Sequence, residues 1–303
     1  MLFADEAKKA NRNSKRDHNS SFSILNFQLS TFNFQFPIFL PKGCLYFMPT
    51  VKEILSAINA FAPFASQCEW DNSGLLIGDA AKNVRRVGLA LDLTRQTLNA
   101  AIEENVDLLV THHPVIFRGV RALLAEDPLY ELVRRGIAVI SVHTPWDCAN
   151  GGVNDVLCGL FSLSDIRTAE TPDTPVPMLR LGKLEREMTP REFARFAAET
   201  LKTTVRLASC GKPVKTVAVC GGAAMELCES ARLAGADVFL TGDAKHHELL
   251  DAAESGISVV AAGHFETERP AMAAFKEKLQ AAFPALCCVL LPESNPVEFF
   301  GGR

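Results

Sequence analysis

The sequence predicts an α/β protein made of two related lobes that arise from an internal duplication. From Arg86 onward, short β-rich runs alternate with helical segments, a pattern typical of parallel strands joined by helical crossovers. The same order returns after residue 213, where "GADVFLTGD" (235–243) aligns with "NVDLLVTHH" (105–113). Likewise, "SGISVVAAGH" (255–264) aligns with "RGIAVISVH" (135–143). This repetition of one strand-helix-strand-helix-strand unit indicates a duplication.

The first lobe is predicted over residues 48–164. It opens with "MPTVKEILSAINAF", in which Thr50 and Glu53 have the spacing of a capping box ahead of a helix. Strands are predicted in "VGLALD", "DLLVT" and "IAVISV", and helices in "TRQTLNAAIEEN" and "PLYELVRRG".

A connector is predicted at residues 165–178, because "DIRTAETPDTPVPM" is rich in Pro, Thr and Asp. The second lobe, residues 179–303, contains a helix with Thr189 as its N-cap, Pro190 at its first position and Glu192 completing a capping box. The strands "VKTVAV", "ADVFLT" and "ISVVAA" then repeat the pattern of the first lobe.

Residues 1–47 are predicted to be an extension without a fold, with Met48 as the native start. They hold 8 of the 20 phenylalanines, mixed with Asn, Ser and Gln. Polar residues interrupt every apolar run there, so a membrane span of roughly 18 apolar residues and a signal-peptide core are both excluded. We therefore expect no membrane attachment.

Charge and cysteine usage exclude two further classes. The net charge is −4 and no basic stripe is present, so nucleic-acid binding is not expected. The nine cysteines contain no C-x-x-C pair and do not form a disulfide framework. Reduced thiols of this kind indicate a cytoplasmic protein.

Six of the seven histidines lie in four short segments at the ends of predicted strands or just beyond them. His112 and His113 end "LLVTHH", His143 ends "AVISVH", and His264 follows "SVVAAG". His246 and His247 open the helix after the second-lobe strand "ADVFLT". Ligand sites of open α/β sheets form at the carboxyl ends of the strands, so we expect a shared site there.

Carboxylates accompany two of these histidine segments. Asp147 lies four residues after His143, and Glu268 lies four residues after His264, so a short helix would place each pair on one face. The segments together supply three imidazoles and two carboxylates: His112, His113, Asp147, His264 and Glu268. This mixed set suits Zn, Fe, Mn or Co. Because a carboxylate can bridge two ions about 3.5 to 4 Å apart, we predict two divalent ions per subunit.

Other features allow two interpretations each. Asp92 is either an additional ligand or base, or a cap for the helix that begins after Thr94. The glycines in "VCGGAA" (219–224) either bind an anion or form a tight turn. Trp70 and Trp146 either line a pocket or pack in the core.

On these segments, the chain resembles the NGG-interacting-factor-three-like family of dinuclear-metal-centre hexameric proteins, also described as a type-two form of GTP cyclohydrolase one. The motifs that carry the resemblance are "WDNSGLLIG" (70–78), "THHPVIF", "HTPWD", "GGVND", "GADVFLTGD" and "GHFETE". The resemblance implies the same five metal ligands, two α/β lobes with the metals between them, and assembly as a toroidal homohexamer.

Three positions depart from the pattern of that family. Pro145 stands where asparagine is usual, His246 where tyrosine is common, and Thr267 where serine is commoner. None of these changes a ligand, so they bear on substrate fit and not on metal binding.

The leading functional hypothesis is a metal-dependent hydrolase that acts on a small molecule. The resemblance implies a nucleotide such as GTP, whose ring would be opened. His247 or His143 would transfer protons, because imidazole titrates near neutral pH. The alternatives are a phosphoester hydrolase, since paired metals also clamp phosphoryl oxygens, and a non-catalytic metal-binding regulator or interaction scaffold.

Overall fold

Eleven strands form two β-sheets in the part of the chain that the structure, a computed structural model, describes: residues 48–170 and 176–300. The strands are β1 (Gly74–Ile77), β2 (Arg86–Ala90), β3 (Leu108–Thr111), β4 (Ala138–Ser141), β5 (Ser164–Thr168), β6 (Arg180–Met188), β7 (Arg206–Ala208), β8 (Val214–Val219), β9 (Val238–Thr241), β10 (Ser258–Ala261) and β11 (Cys287–Leu290). The helices are α1 (Val51–Phe61), α2 (Arg95–Glu103), α3 (Pro128–Arg135), α4 (Thr144–Cys148), α5 (Val153–Leu160), α6 (Pro190–Leu201), α7 (Cys228–Leu233), α8 (His246–Ser255), α9 (His264–Glu268) and α10 (Ala271–Ala282).

The first sheet has the strand order β1-β4-β3-β2-β11. Strands β4, β3, β2 and β11 run parallel, while β1 pairs with β4 in the antiparallel sense. The second sheet has the order β5-β6-β8-β9-β10-β7. Its centre, β8-β9-β10, is parallel, and β7 pairs with β10 in the antiparallel sense. The α/β fold class predicted from the sequence is confirmed.

The two sheets repeat one arrangement of four strands. The order β1-β4-β3-β2 in the first sheet matches β7-β10-β9-β8 in the second, with an antiparallel strand beside the third parallel strand in both. The match extends to side chains. Asp107 accepts hydrogen bonds from the backbone amides of residues 85 and 86 at 2.9 and 3.2 Å, and Asp237 accepts them from residues 215 and 216 at 3.0 and 2.8 Å. These correspondences support the predicted duplication.

Helix starts follow the local sequence signals. Thr50 and Glu53 form the predicted capping box of α1, and Thr189 and Glu192 form that of α6. Each box satisfies amide groups that the first helical turn leaves without partners. Across the described residues, no helix is both long and apolar enough to cross a membrane.

The strand pairing differs from the predicted lobe boundaries in two places. Strand β11 follows α10 back to the first sheet and pairs with β2, although its residues lie within the predicted second lobe. Strand β5 occupies the start of the predicted connector and pairs with β6. The apolar run of β11 fits either sheet by its pattern, and the polar, exposed run of β5 lacks a strand signal, so sequence periodicity assigns neither strand. The predicted extension 1–47 and residues 171–175 of the connector lie outside the described residues.

One apolar core cluster is shared by both sheets. It contains buried side chains of the first sheet, such as Val110 and Ile140, together with those of the second, such as Val219 and Leu240. Burial of this apolar surface holds the two sheets in one compact unit. The carboxyl ends of strands from both sheets can therefore contribute to one site.

Candidate metal centre

The predicted ligands come from turns and short helices at the carboxyl ends of parallel strands. His112 and His113 directly follow β3, and Asp147 lies in α4, the short helix that follows β4 and His143. His264 and Glu268 are the first and last residues of α9, which follows β10. The first sheet thus supplies three of the five side chains and the second sheet supplies two.

The first ligand group consists of His113, His264 and Glu268. The Nε2 atoms of the two histidines lie 3.3 Å apart, and Glu268 Oε2 lies 3.1 and 3.2 Å from them. Ligands of a tetrahedral zinc ion with bonds of about 2.0 to 2.1 Å stand about 3.3 to 3.4 Å from each other. The three atoms therefore have the spacing that a divalent ion requires.

The second ligand group consists of His112, Asp147 and Glu268, all of them buried. His112 Nε2 lies 3.7 Å from Asp147 Oδ1 and 3.7 Å from Glu268 Oε1. Glu268 thus presents one carboxylate oxygen to each group. This is the bridging arrangement that a carboxylate adopts between two metal ions.

Two buried polar atoms of the cluster have no hydrogen-bond partner among the described residues and are placed to bind a cation. His112 Nε2 and Glu268 Oε2 are fully buried, and no described residue offers either a contact with hydrogen-bond geometry. Burying such atoms without a partner costs free energy, and a bound cation would satisfy both. The mixed nitrogen and oxygen set is also the donor chemistry of Zn, Fe, Mn and Co sites.

Each histidine ring near the cluster is oriented through its Nδ1 atom. The partners are Val142 O for His112 at 3.1 Å, Asp92 Oδ1 for His113 at 2.8 Å, Asp71 Oδ1 for His143 at 3.1 Å and Asp243 Oδ2 for His264 at 2.8 Å. These contacts direct the Nε2 atoms of the ligand histidines toward the centre of the cluster. Partners of this type fix ring orientation and raise ligand basicity in metal proteins.

The carboxylates make the imidazoles strongly basic. Burial opposes protonation of His113, but the hydrogen bond to Asp92 and the nearby negative charges of Glu268 and Asp92 outweigh it and raise the pKa of His113 to about 10. The pKa of His264 rises to about 9 in the same way, through Glu268 and Asp243 against the effect of burial. Burial would raise the pKa of Glu268, but the three facing imidazoles hold it well below its usual range. The negative charge of the cluster therefore favours the binding of protons or cations.

The family model described as Duf34/NIF3 (NGG1p interacting factor 3) matches residues 49–296. The chain belongs to the Duf34/NIF3 family.

Relatives and solved structures agree with membership in Duf34/NIF3. A protein of Streptomyces coelicolor named "GTP cyclohydrolase 1 type 2 homolog" is 35% identical over 74% of this chain and 83% of its own length. A protein of the same name from Clostridium acetobutylicum is 31% identical over 77% of this chain and 90% of its own. The structure of reduced HcgD from Methanocaldococcus jannaschii has a TM-score of 0.70 and 29% identity, covering 80% of this chain and 98% of its own.

The structure separates the two histidines predicted to transfer protons. The ring of His143 lies 5.2 Å from that of His112 and 5.4 Å from that of His113, measured between ring centroids, and belongs to a third group of possible ligands with them. His247 is exposed on α8 and belongs to none of the three groups found among the described residues. Of the two, only His143 is placed to act at the cluster.

The glycine pair of "VCGGAA" forms a tight turn. The amide of Gly221 donates to Asn154 Oδ1 at 2.9 Å, and that of Gly222 donates to Thr267 Oγ1 at 3.1 Å. Both amides are thus occupied, which excludes the anion-binding interpretation for them. Gly222 has φ +67°, and a Cβ atom there would lie 2.2 Å from Glu268 Oε1. Glycine at 222 therefore allows the bridging carboxylate to approach the turn.

The other ambiguous residues now have definite positions. Asp92 orients His113, while Thr94 caps α2 with its own side chain. Trp146 is fully buried in the core, whereas Trp70 is 57% exposed beside the cluster. Neither tryptophan could be assigned from the sequence, because indole rings serve both roles.

Sequence reasoning assigned no role to Asp71 or Asp243, the partners of His143 and His264. Both lie in quoted segments, "WDNSG" and "TGD", but their spacing to the histidines spans 72 and 21 residues. The departures from the family pattern are accommodated. Pro145 occupies the first turn of α4, where an amide hydrogen has no helical partner, and Thr267 supplies the hydroxyl that a serine would.

Proposed function

We propose that the protein is a metal-dependent hydrolase that holds two divalent ions, Zn, Fe, Mn or Co, between its sheets. The observation that carries this proposal is the position of Glu268, whose two carboxylate oxygens face different ligand groups. Ions bound there would supply Lewis acidity and lower the pKa of a water molecule to near neutrality. The cluster also borders a cavity, so a substrate can reach it.

His143 is the residue best placed to move a proton in this reaction. Asp71 holds its Nδ1 at 3.1 Å, which leaves Nε2 as the atom that exchanges protons with water or substrate. The backbone amide of His143 is fixed by Ser73 Oγ at 3.0 Å, and its ring lines the cavity. A general base or acid needs this combination of fixed orientation and access.

The substrate in this proposal is a nucleotide such as GTP. The support is the name "GTP cyclohydrolase 1 type 2 homolog" that curated relatives carry. In a ring-opening hydrolysis, water adds to a ring carbon between two nitrogens and a carbon–nitrogen bond breaks. His143 would take the proton of the water and return it to the departing nitrogen, so the protein ends unchanged.

The same proposal places the protein in the cytoplasm as a homohexamer, following the family resemblance. Exposed apolar side chains on the segment between β3 and α3 support an interface between copies, because Val120, Leu123 and Leu124 are 45 to 56% exposed. The non-catalytic alternative, a regulator or scaffold, requires protein groups to fill the coordination of the ions. An accessible cavity and an oriented His143 beside the cluster favour chemistry instead.

The test is elemental analysis of the purified full chain, followed by a turnover screen of nucleotides and phosphoesters with the metal that is found. We expect about two equivalents of metal per chain and turnover that is lost in His143→Gln without loss of metal. An exposed His247→Gln variant serves as the matched control and should keep its activity. Two bound equivalents with no turnover of any compound would replace the hydrolase with the regulator.

A further inference from the structure

A cavity of about 470 Å³ lies against one side of the cluster. His143, Asp147, His264 and Glu268 line its inner end. Its volume falls within the range of small-molecule sites in proteins. The side chains on the rest of its wall therefore determine which ligands can reach the cluster.

Much of that wall is apolar and includes one exposed aromatic ring. Met178, Leu227 and Leu233 line the cavity, and Leu233 is 71% exposed. The indole of Trp70 is 57% exposed and lies 5.5 Å from the His143 ring and 6.0 Å from that of Phe117, between centroids. An indole in this position offers a face for a planar ring.

The charged groups of the wall are negative. Among the described residues, the lining contains Glu226 and Glu229 but no lysine or arginine. Glu229 is paired with Arg232, with Oε2 to Nε and Oε1 to Nη2 both at 2.7 Å. Glu226 is exposed, and no hydrogen bond or ion pair to it is found in the described part of the chain. Its carboxylate is therefore available to accept hydrogen bonds from a ligand.

The cluster itself gives little attraction for a polyanion. Asp147 and Glu268 belong to the ligand groups, and Asp71, Asp92 and Asp243 orient the histidines. These five carboxylates exceed the four positive charges of two divalent ions. A triphosphate would bring several further negative charges into a site that is already negative.

Two cations lie in a cleft beside the cavity. Arg206 and Lys245 line a neighbouring cleft of about 390 Å³, which shares Glu226 with the first cavity. Arg206 Nη2 donates to Ala244 O at 2.7 Å, and Lys245 Nζ lies 3.3 Å from Glu248 Oε1. Glu226 and Asp243 also line that cleft, so a phosphate chain bound to these cations would lie beside two carboxylates.

We propose that this cavity binds an uncharged or cationic nitrogen heterocycle, such as a purine base or nucleoside, and discriminates against polyphosphates. The ring packs against Trp70, and its N–H groups donate to Glu226. The inference rests on the proposed function for the chemistry at the ions, and it replaces the nucleotide of that proposal with a nucleoside or base that carries the same ring.

The test compares guanosine with guanosine triphosphate, which share the base and differ in charge. Binding to the metal-loaded full chain is measured by equilibrium dialysis after excess metal has been removed. We expect guanosine to bind at least about tenfold more tightly than the triphosphate. Equal or tighter binding of the triphosphate would overturn the inference, and so would no binding of guanosine at about 1 mM, which marks a very weak interaction.

Two variants of Glu226 and one control variant test whether Glu226 determines this preference. Glu226→Gln should weaken guanosine about tenfold, because a hydrogen bond to a charged acceptor is lost. Glu226→Lys should shift the preference toward the triphosphate. Glu254→Gln makes the same exchange at an exposed position of α8 and should leave both affinities unchanged. Unaltered guanosine binding in both Glu226 variants would remove Glu226 from the site.

Failure of this inference and failure of the hydrolase are distinguishable, because the test measures binding without turnover. Selective guanosine binding with no turnover of any compound would retain the inference and remove the hydrolase. Turnover of a phosphoester together with tight triphosphate binding would remove the inference and retain the hydrolase.

Discussion

Glu293 accepts a hydrogen bond from the backbone amide of Asp92, 201 residues earlier in the chain, at 3.0 Å. The same oxygen, Oε1, accepts from the amide of Leu91 at 2.6 Å, and Oε2 lies 2.7 Å from Nε of Arg269. Asp92 in turn orients His113, and Arg269 follows Glu268 directly in the chain. The segment after β11 thus ties together two of the candidate ligands.

We expect Glu293→Gln to weaken zinc binding about tenfold, which is at the low end of the loss caused by changes to groups that orient metal ligands. The side chain is only 4% exposed, so the variant loses a buried ion pair that water does not replace. The measurement is zinc affinity by chelator competition. Glu298→Gln, at an exposed position of the same segment, is the control, and equal affinities in the two variants would contradict the orienting role.

Metal stoichiometry should distinguish the shared ligand from the unshared ones. Glu268 belongs to both ligand groups, whereas Asp147 and His264 belong to one each. We expect Glu268→Gln to reduce bound metal from about two equivalents to well below one. Asp147→Asn and His264→Gln should each retain about one. Elemental analysis of gel-filtered protein gives the answer, and two retained equivalents in Glu268→Gln would refute the bridge.

Metal binding should release protons at neutral pH. The pKa of His113 is raised to about 10 and that of His264 to about 9, so both rings carry a second proton at pH 7.5 before an ion binds. A metal displaces that proton, so apparent affinity should increase as pH rises toward 9. Calorimetry in buffers of different ionisation enthalpy should show the release of about two protons. A heat that does not depend on the buffer would contradict this expectation.

Asp71 should stabilise the protein above about pH 4. Burial acts to raise its pKa, but hydrogen bonds from His143 and Thr144 lower it to about 2, below the ordinary 3.8. Because the folded pKa is depressed, the stabilisation is complete above the unfolded pKa and is lost as pH falls from about 4 to about 2. We expect Asp71→Asn to lower the free energy of unfolding by about 2 kcal/mol at pH 7.

Urea denaturation at pH 7 and pH 3 measures this difference. Near pH 3 the difference in unfolding free energy between Asp71→Asn and the parent protein should narrow, because the unfolded parent chain then protonates this carboxylate while the folded protein largely does not. Asp251→Asn, an exposed change on α8, should match the parent at both values. A gap that is independent of pH would mean that the effect comes from packing.

Gly222→Ala should disrupt the cluster more than an equally strained glycine replacement elsewhere. Gly222 has φ +67° and its Cβ would lie 2.2 Å from Glu268 Oε1, whereas Gly235 has φ +87° and its Cβ would meet nothing within 4 Å. Both alanine variants should lose about 1 to 2 kcal/mol of stability from backbone strain. Only Gly222→Ala should also lose metal, as measured by elemental analysis. Full metal content in Gly222→Ala would contradict this expectation and show that the Glu268 side chain can move away from the added methyl group without losing the metal.

Much of the fold could be predicted because its signals are local. Strands β2, β3 and β4 and their repeats β8, β9 and β10 are short apolar runs next to helical periods, and capping boxes at Thr50 and Thr189 mark helix starts. The position of β11 could not be predicted in this way. Its pairing with β2 depends on which sheet edge is left uncovered, which is a property of the assembled chain.

The five candidate ligands were predictable because strand ends converge and because imidazole and carboxylate recur four residues apart. The residues that orient these ligands could not be predicted from the sequence. Glu293 reaches Asp92 across 201 residues, and Asp71 reaches His143 across 72, with no periodic signal to connect them. His247 has the same residue type and a comparable position after a strand, yet it is exposed on α8. Side-chain direction, which separates it from His143, depends on tertiary packing.

The division of the cluster between the two repeated units has a consequence for the history of the chain. Where the first unit has His112 and His113 after its second strand, the second unit has Gly242 and Asp243, and it places His264 and Glu268 one strand later. The copies have become complementary halves, because both ligand groups that contain Glu268 also need a side chain from the first unit. Deleting or exchanging one half would leave the other unable to assemble the site, so the pair must be inherited together.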